Sequence, residues 1–178
     1  MRNVYLTGWA AGTPVERVRA ALTFKAIAFE DRTGMETSRY DDRVPALSLT
    51  FDGHDLRISQ SLAILNFLEE VHPSPALLPK DIADRARART LLNMMVCDLQ
   101  PLLDAAPTQR NSAWDRVLRE TDRLCDPHGY AVGDALSIAD ICVVPELQRA
   151  QAAGWDLQGC LNLARILNVA GKHPAFEH

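Results

Sequence analysis

The chain has 178 residues, 47% hydrophobic and 24% charged; at about 150 residues per domain this allows one domain or two small ones and excludes disorder as the default state. Nineteen Lys and Arg against 23 Asp and Glu leave a net charge of −4, and the lack of a basic block argues against nucleic acid as the main partner. There is no signal-peptide core, no apolar run of the roughly 20 residues that span a bilayer, no metal-ligand spacing among the histidines, and no close pair among Cys97, Cys125, Cys142 and Cys160, so the expectation is a soluble cytoplasmic protein with reduced thiols, no metal and no membrane partner.

A short β-rich run over 3–7 comes first and is broken by Gly8-Trp9-Ala10-Ala11-Gly12. Thr13-Pro14-Val15-Glu16 then predicts a helix start, with Thr13 as N-cap, Pro14 at the first helical position and Glu16 three residues after the cap. Val15, Val18 and Leu22 give this helix its buried stripe. A weak strand is expected over 27–30, followed by a polar loop over 31–43 with at most one helical turn. Residues 44–51 alternate as a half-buried strand, Asp52-Gly53 signals a hairpin, and 56–58 is the returning strand. Ser59-Gln60-Ser61 opens a helix with Leu62, Leu65 and Leu68 on its apolar face.

The seam His72-Pro73-Ser74-Pro75-Ala76-Leu77-Leu78-Pro79-Lys80 carries three prolines and cannot continue that helix. Strand and helix signals alternate before it, and helical ones dominate after it. The predicted domains are 1–72 and 82–178, joined by a linker over 73–81. In the second domain, a long helix runs over 82–105 with Leu92, Met95, Leu99 and Leu102 on one face and a bend near Pro101. A second helix covers 112–125. Ser137-Ile138-Ala139-Asp140 reads as a capping box, with Leu136 and Ile141 as its hydrophobic staple, opening a helix to about 153. A last helix is expected over 160–169.

Four stretches together resemble the glutathione transferase superfamily, and within it the zeta class that includes maleylacetoacetate isomerase. They are Arg17-Val18-Arg19-Ala20-Ala21-Leu22, Val44-Pro45-Ala46-Leu47, Asp52-Gly53 through Glu70, and Ser137-Ile138-Ala139-Asp140-Ile141. The resemblance spans nearly the whole chain. It implies an α/β thioredoxin-like N-terminal domain that binds glutathione and an all-α C-terminal domain covering the second substrate, a shortened glutathione transferase fold.

Carried over residue by residue, the resemblance makes Pro45 a cis proline that turns the backbone of Val44 toward the cysteinyl part of glutathione. Gln60 and Ser61 match the pair that holds the γ-glutamyl carboxylate at a helix start. Where zeta enzymes carry Ser-Ser-Cys, this chain has Gly12-Thr13-Pro14, which leaves Thr13 as the hydroxyl able to donate to sulfur and stabilise a thiolate. Thr13 as a helix cap alone is the competing reading. Gln100 matches a position reaching over the glutathione site, with a solvated polar residue on a helix as the competing reading; Trp9 with Ala10 is assigned to the acceptor pocket, with ordinary packing of Trp9 at a strand end as the competing reading. Arg17 and Arg19 read as surface or salt-bridged residues.

Two segments are shorter than the family pattern: 31–43, where a second helix would contribute contacts to the glycine end of glutathione, and the hairpin over 105–112, which normally forms a wall of the acceptor cleft and much of a dimer interface. The expected function is addition of glutathione thiolate to a conjugated small molecule, for isomerisation or conjugation, in a homodimer. The alternatives are a non-catalytic binding or scaffold module and a glutathione-independent enzyme built on this fold.

Overall fold

In a computed structural model, residues 1–9, 12–34, 45–105 and 112–177 are described. The chain divides into two compact units, Met1–Ala76 and Leu77–Glu177.

The first unit contains β1 (Arg2–Thr7), α1 (Thr13–Phe24), β2 (Glu30–Asp31), β3 (Ala46–Phe51), β4 (His54–Ser59) and α2 (Ser61–Val71). Its sheet has the order β2-β1-β3-β4. Strand β2 runs parallel to β1, with Tyr5 opposite Glu30, while β1–β3 and β3–β4 are antiparallel. This is a mixed, thioredoxin-like sheet, as the resemblance implies. Period-2 alternation puts Val4 and Leu6 of β1 and Leu47 and Leu49 of β3 into the core. Helix α1 packs on β1 and on α2, and α2 packs on β3 and β4. Val15, Val18 and Leu22 are buried as their spacing predicts. At the β3–β4 hairpin, Asp52 (φ 48°) and Gly53 (φ 82°) both adopt positive φ, the two-residue turn whose twist matches the flanking strands.

Four local expectations need correction. Thr13 is not the N-cap of α1: Gly12 holds that place, and no side chain caps the helix. The carbonyl of Gly12 accepts from Val15 and Glu16 N–H groups, and Glu16 pairs with Arg19 at 2.6 Å. The second strand forms at Glu30–Asp31 and not over 27–30, because Ala26 (φ 52°) and the Ile27 N–H bond to Leu22 O spend those residues on leaving the helix. On α2, Ile64 joins Leu65 and Leu68 in the core while Leu62 is only half-buried. The fourth concerns the surface half of the reading for Arg17, which is fully buried, because its position four residues after Thr13 places it on the core side of α1. The predicted loop over 31–43 lies mostly outside the described residues.

The first unit also contains a buried cation that composition did not reveal. Lys25, just past the end of α1, is about 1% exposed. Its Nζ donates to Glu69 Oε2 (2.8 Å), His72 O (2.6 Å) and Pro75 O (2.8 Å), using all three ammonium protons. Lys25 thereby ties the end of α1 to the end of α2 and to the proline-rich segment.

The second unit holds α3 (Ile82–Asn93), a π-helical segment (Met94–Leu99), α4 (Gln100–Ala105), α5 (Ser112–Leu124), α6 (Ile138–Ala152) and α7 (Leu161–Asn168), then two short 3-10 turns at Ala170–Lys172 and Pro174–Phe176. The expected long helix is therefore interrupted by one widened turn. A proline within a helix removes a hydrogen bond and crowds the carbonyl four residues back, here that of Cys97. The wide turn, in which Gln100 N–H donates to Met95 O, lies directly before Pro101. It also shifts the register, so that Leu103 and not Leu102 is buried.

Helix α6 is the core of this unit, with every residue from Ile138 to Leu147 buried. Its capping box is present as read: Ser137 N–H donates to Asp140 Oδ2 at 2.9 Å, and Ser137 Oγ accepts from Ala139 N–H. Asp140 Oδ1 also accepts from Ala131 N–H at 2.7 Å, which pins the Gly129–Gly133 connector to the start of α6. Among the described residues, no helix is long and apolar enough to cross a membrane.

Candidate functional site

The candidate site in the first unit is assembled where β1, α1, β3 and α2 begin or end. Gly8 makes the close approach possible. A Cβ on Gly8 would sit 2.5 Å from Val15 Cγ2 and in ordinary contact, 3.6 Å, with Pro45 Cα, so only glycine lets Val15 of α1 pack this closely against the end of β1. Two further backbone bonds complete the junction. Gln60 N–H donates to Pro45 O at 3.0 Å, and Gly34 N–H donates to Gly8 O at 2.9 Å. The Val-Pro and Gln-Ser motifs, some fifteen residues apart in sequence, are thereby joined.

Gln60 carries backbone strain at this junction, with φ 75° and ψ 122° in a residue with a Cβ. Such conformations cost on the order of 1–3 kcal/mol and persist where the surroundings impose them. Here the constraints are the bond to Pro45 and the start of α2, whose first internal bond runs from Ile64 N–H to Gln60 O. The N–H groups at the beginning of α2 are therefore presented at the positive end of an 11-residue helix. Ser61, its first residue, is 5% exposed, and no side chain caps α2.

Thr13 lies at the start of α1, 3% exposed, and its Oγ1 has no hydrogen-bond partner among the described residues. A buried hydroxyl without a partner costs stability, about 1–3 kcal/mol. Four residues on, and thus on the same helix face, the fully buried Arg17 points Nη1 at Ser61 Oγ, 3.5 Å away. Arg19 faces elsewhere: it pairs with Glu16 at 2.6 Å and Asp31 at 2.8 Å. Burial works against the Asp31 charge, but hydrogen bonds from Thr33 and Arg19 outweigh it and hold the carboxyl below its ordinary range.

The structure thus brings Pro45, Gln60 and Ser61 together, with Thr13 one helical turn from the Arg17 that touches Ser61. Trp9, at the end of β1, is 69% exposed. Gln100 belongs to the second unit, half-buried at the first position of α4. Val44 and Ala10 lie outside the described residues, as does the Val44–Pro45 peptide bond. Sequence reasoning did not place Arg17 beside Ser61. The one available signal was its i, i+4 spacing from Thr13, which puts a cation on the same face as the candidate hydroxyl.

Of the four cysteines, Cys97 is exposed and lies in the π-helical segment of the second unit. Cys125, Cys142 and Cys160 are buried, and burial together with Asp140, Asp122 and Asp126 pushes the Cys125 thiol far up, keeping it protonated.

A mixed four-stranded thioredoxin-like sheet followed by a helical second unit defines a glutathione transferase fold. Comparison with solved structures agrees: maleylacetoacetate isomerase from Anaeromyxobacter dehalogenans, with glutathione bound in its active site, superposes with a TM-score of 0.84 at 28% identity over 98% of this chain and 93% of that one. In sequence, maleylacetoacetate isomerase of Pseudomonas aeruginosa is 31% identical over 189 residues, covering 90% of this chain and 88% of the relative. The enzyme of the same name from Rattus norvegicus is 32% identical over 191 residues, covering 90% and 84%. No family model matches the chain. The chain belongs to the maleylacetoacetate isomerase family, the zeta class of the glutathione transferases.

Proposed function

We propose that the protein is a glutathione-dependent enzyme of zeta type that adds the glutathione thiolate to an electron-poor double bond of a small acidic molecule. The observation that carries this reading is the buried, unpartnered hydroxyl of Thr13 at the start of α1, in a chain whose relatives are maleylacetoacetate isomerases. Another structure of the Anaeromyxobacter enzyme holds dicarboxyethyl glutathione in its active site. A dicarboxyethyl group on sulfur is the product expected when a thiol adds across a double bond flanked by two carboxyl groups, which supports the same acceptor class here.

In this reading, the Thr13 hydroxyl donates a hydrogen bond to sulfur and lowers the energy of the thiolate, helped by the positive end of α1. Val44 pairs through its backbone with the cysteinyl unit, and Pro45 sets that backbone. Gln60 and Ser61 hold the γ-glutamyl carboxylate at the start of α2. The family resemblance assigns Gln100 to glutathione binding, and Trp9 with Ala10 is assigned to the acceptor pocket. Addition of sulfur to the β-carbon moves the π electrons onto the adjacent carbonyl. Rotation about the new single bond and expulsion of the thiolate give the other geometric isomer without consuming glutathione, whereas protonation of the enolate gives a conjugate. The protein contributes thiolate stabilisation and positioning.

The test is calorimetric titration with glutathione, followed by turnover of a cis-configured enone dicarboxylate with and without it. Saturable binding and glutathione-dependent isomerisation are expected, with Thr13→Ser active and Thr13→Ala strongly impaired. Turnover that does not require glutathione, or Thr13→Ala working at the wild-type rate, overturns the reading.

A further inference from the structure

We propose that Arg17 is a positioning residue of the glutathione site: through Ser61 it fixes a hydrogen-bond donor for an α-amino-acid carboxylate and adds a buried positive charge beside it. This inference rests on the glutathione reading above and extends it to a residue that does not itself touch the ligand.

The argument begins with proton bookkeeping at Ser61. A serine hydroxyl has one proton and two lone pairs, while a guanidinium has donors only. When Arg17 Nη1 approaches Ser61 Oγ at 3.5 Å, the hydroxyl can serve Arg17 only as acceptor. Its single proton is directed elsewhere. The helix does not use Ser61 Oγ as a cap, because Gln60 holds the N-cap position and α2 has no side-chain cap bond. The proton is therefore available to an anion at the start of α2, where the first backbone N–H groups also point.

Burial gives the arrangement its strength. Arg17 is 0% exposed and Ser61 5% exposed, so the guanidinium charge acts through protein and is poorly screened by water. Arginine suits this place because it stays charged when buried. The independent sign that the same face of α1 meets a ligand is Thr13, four residues earlier, whose buried Oγ1 has no partner. One face of α1 thus supplies a hydroxyl for the sulfur and, one turn on, a cation that organises the carboxylate end.

The experiment uses the full chain with two probes: glutathione, and the same tripeptide lacking only the α-carboxylate of its γ-glutamyl unit (γ-aminobutyryl-cysteinyl-glycine). Wild-type protein is expected to bind glutathione at least about tenfold more tightly than the analogue. Arg17→Gln should lower glutathione affinity by about tenfold and leave analogue affinity within about twofold, with Arg17→Lys between the two. In a Ser61→Ala background the effect of Arg17→Gln should shrink, since the two residues act as a unit.

Equal losses for both probes would show a purely structural role and overturn the proposal. So would glutathione affinity unchanged by Arg17→Gln, or wild-type protein that fails to distinguish the probes, a measurement that needs no variant to fold. Wild-type protein that binds neither probe overturns the glutathione reading itself. Binding of both probes with no Arg17 dependence removes only the role of Arg17.

Discussion

The backbone N–H of Gln60 donates to the carbonyl of Pro45 over 3.0 Å, and Gln60 holds φ at 75° to do so. This bond connects Pro45, the residue before β3, to the start of α2, and it sets the direction in which the first N–H groups of α2 point. The strain at Gln60 accompanies an arrangement suited to binding an anion. Gln60→Gly removes the Cβ that opposes this backbone. It is expected to raise stability by about 1 kcal/mol in chemical denaturation while weakening glutathione binding through loss of the side chain.

Thr13 presents a similar opposition between stability and function. Thr13→Val keeps shape and volume but removes the unpartnered hydroxyl. Thermal and urea unfolding should show stability unchanged or raised by about 1 kcal/mol. Glutathione-dependent turnover should fall by about a hundredfold, the usual scale for losing one donor to a developing or stabilised anion.

Gly8→Ala places a methyl group 2.5 Å from Val15 Cγ2. Val15 is buried and its β-branched side chain has little room to yield, so a loss of about 2 kcal/mol is expected. Glutathione affinity should fall as well, because Val15 at the start of α1 must shift away from the end of β1.

Lys25→Met removes the buried ammonium that serves Glu69 and the carbonyls of His72 and Pro75. Leaving these acceptors without their donor should cost about 3 kcal/mol, read from the urea midpoint. The cross-link joins the ends of both helices, so the variant should also show faster amide exchange at the end of α2.

Asp140 gives a pH-dependent signature in the second unit. Burial raises its pKa to about 6, and hydrogen bonds from Ala131 and Ser137 pull the other way without cancelling the rise. Its folded pKa thus lies above the ordinary carboxylate value, so the native state holds the proton more tightly than the unfolded chain does. The resulting stability is fully present below about pH 4 and is lost as pH rises through about 6. Unfolding of the wild type and Asp140→Asn should therefore differ more at pH 4.5 than at about pH 7.5.

Much of the architecture was legible before any coordinates because it is written in short-range chemistry. The alternation in β3, the Asp52-Gly53 turn, the capping box at Ser137 and Asp140, and the proline seam all act over a few residues and appear in the structure. Where the local reading missed, a distant or neighbouring constraint prevailed. The exit from α1 displaced β2, the wide turn before Pro101 exchanged Leu102 for Leu103, and the Gly12 carbonyl started α1 in place of the Thr13 side chain.

The candidate site divides in the same way. Spacing and turn chemistry determined the alternating first half and helical second half of the chain, and the resemblance of its motifs to a known family implied the fold class, the family, and the residues for binding an anion and stabilising a thiolate. Tertiary structure alone decided that Thr13 Oγ1 has no partner, that Lys25 is a buried cross-link, and that Arg17 reaches Ser61 from 44 positions away. Burial and hydrogen-bond direction are properties of what surrounds a side chain, and that surrounding forms only when segments remote in sequence pack together.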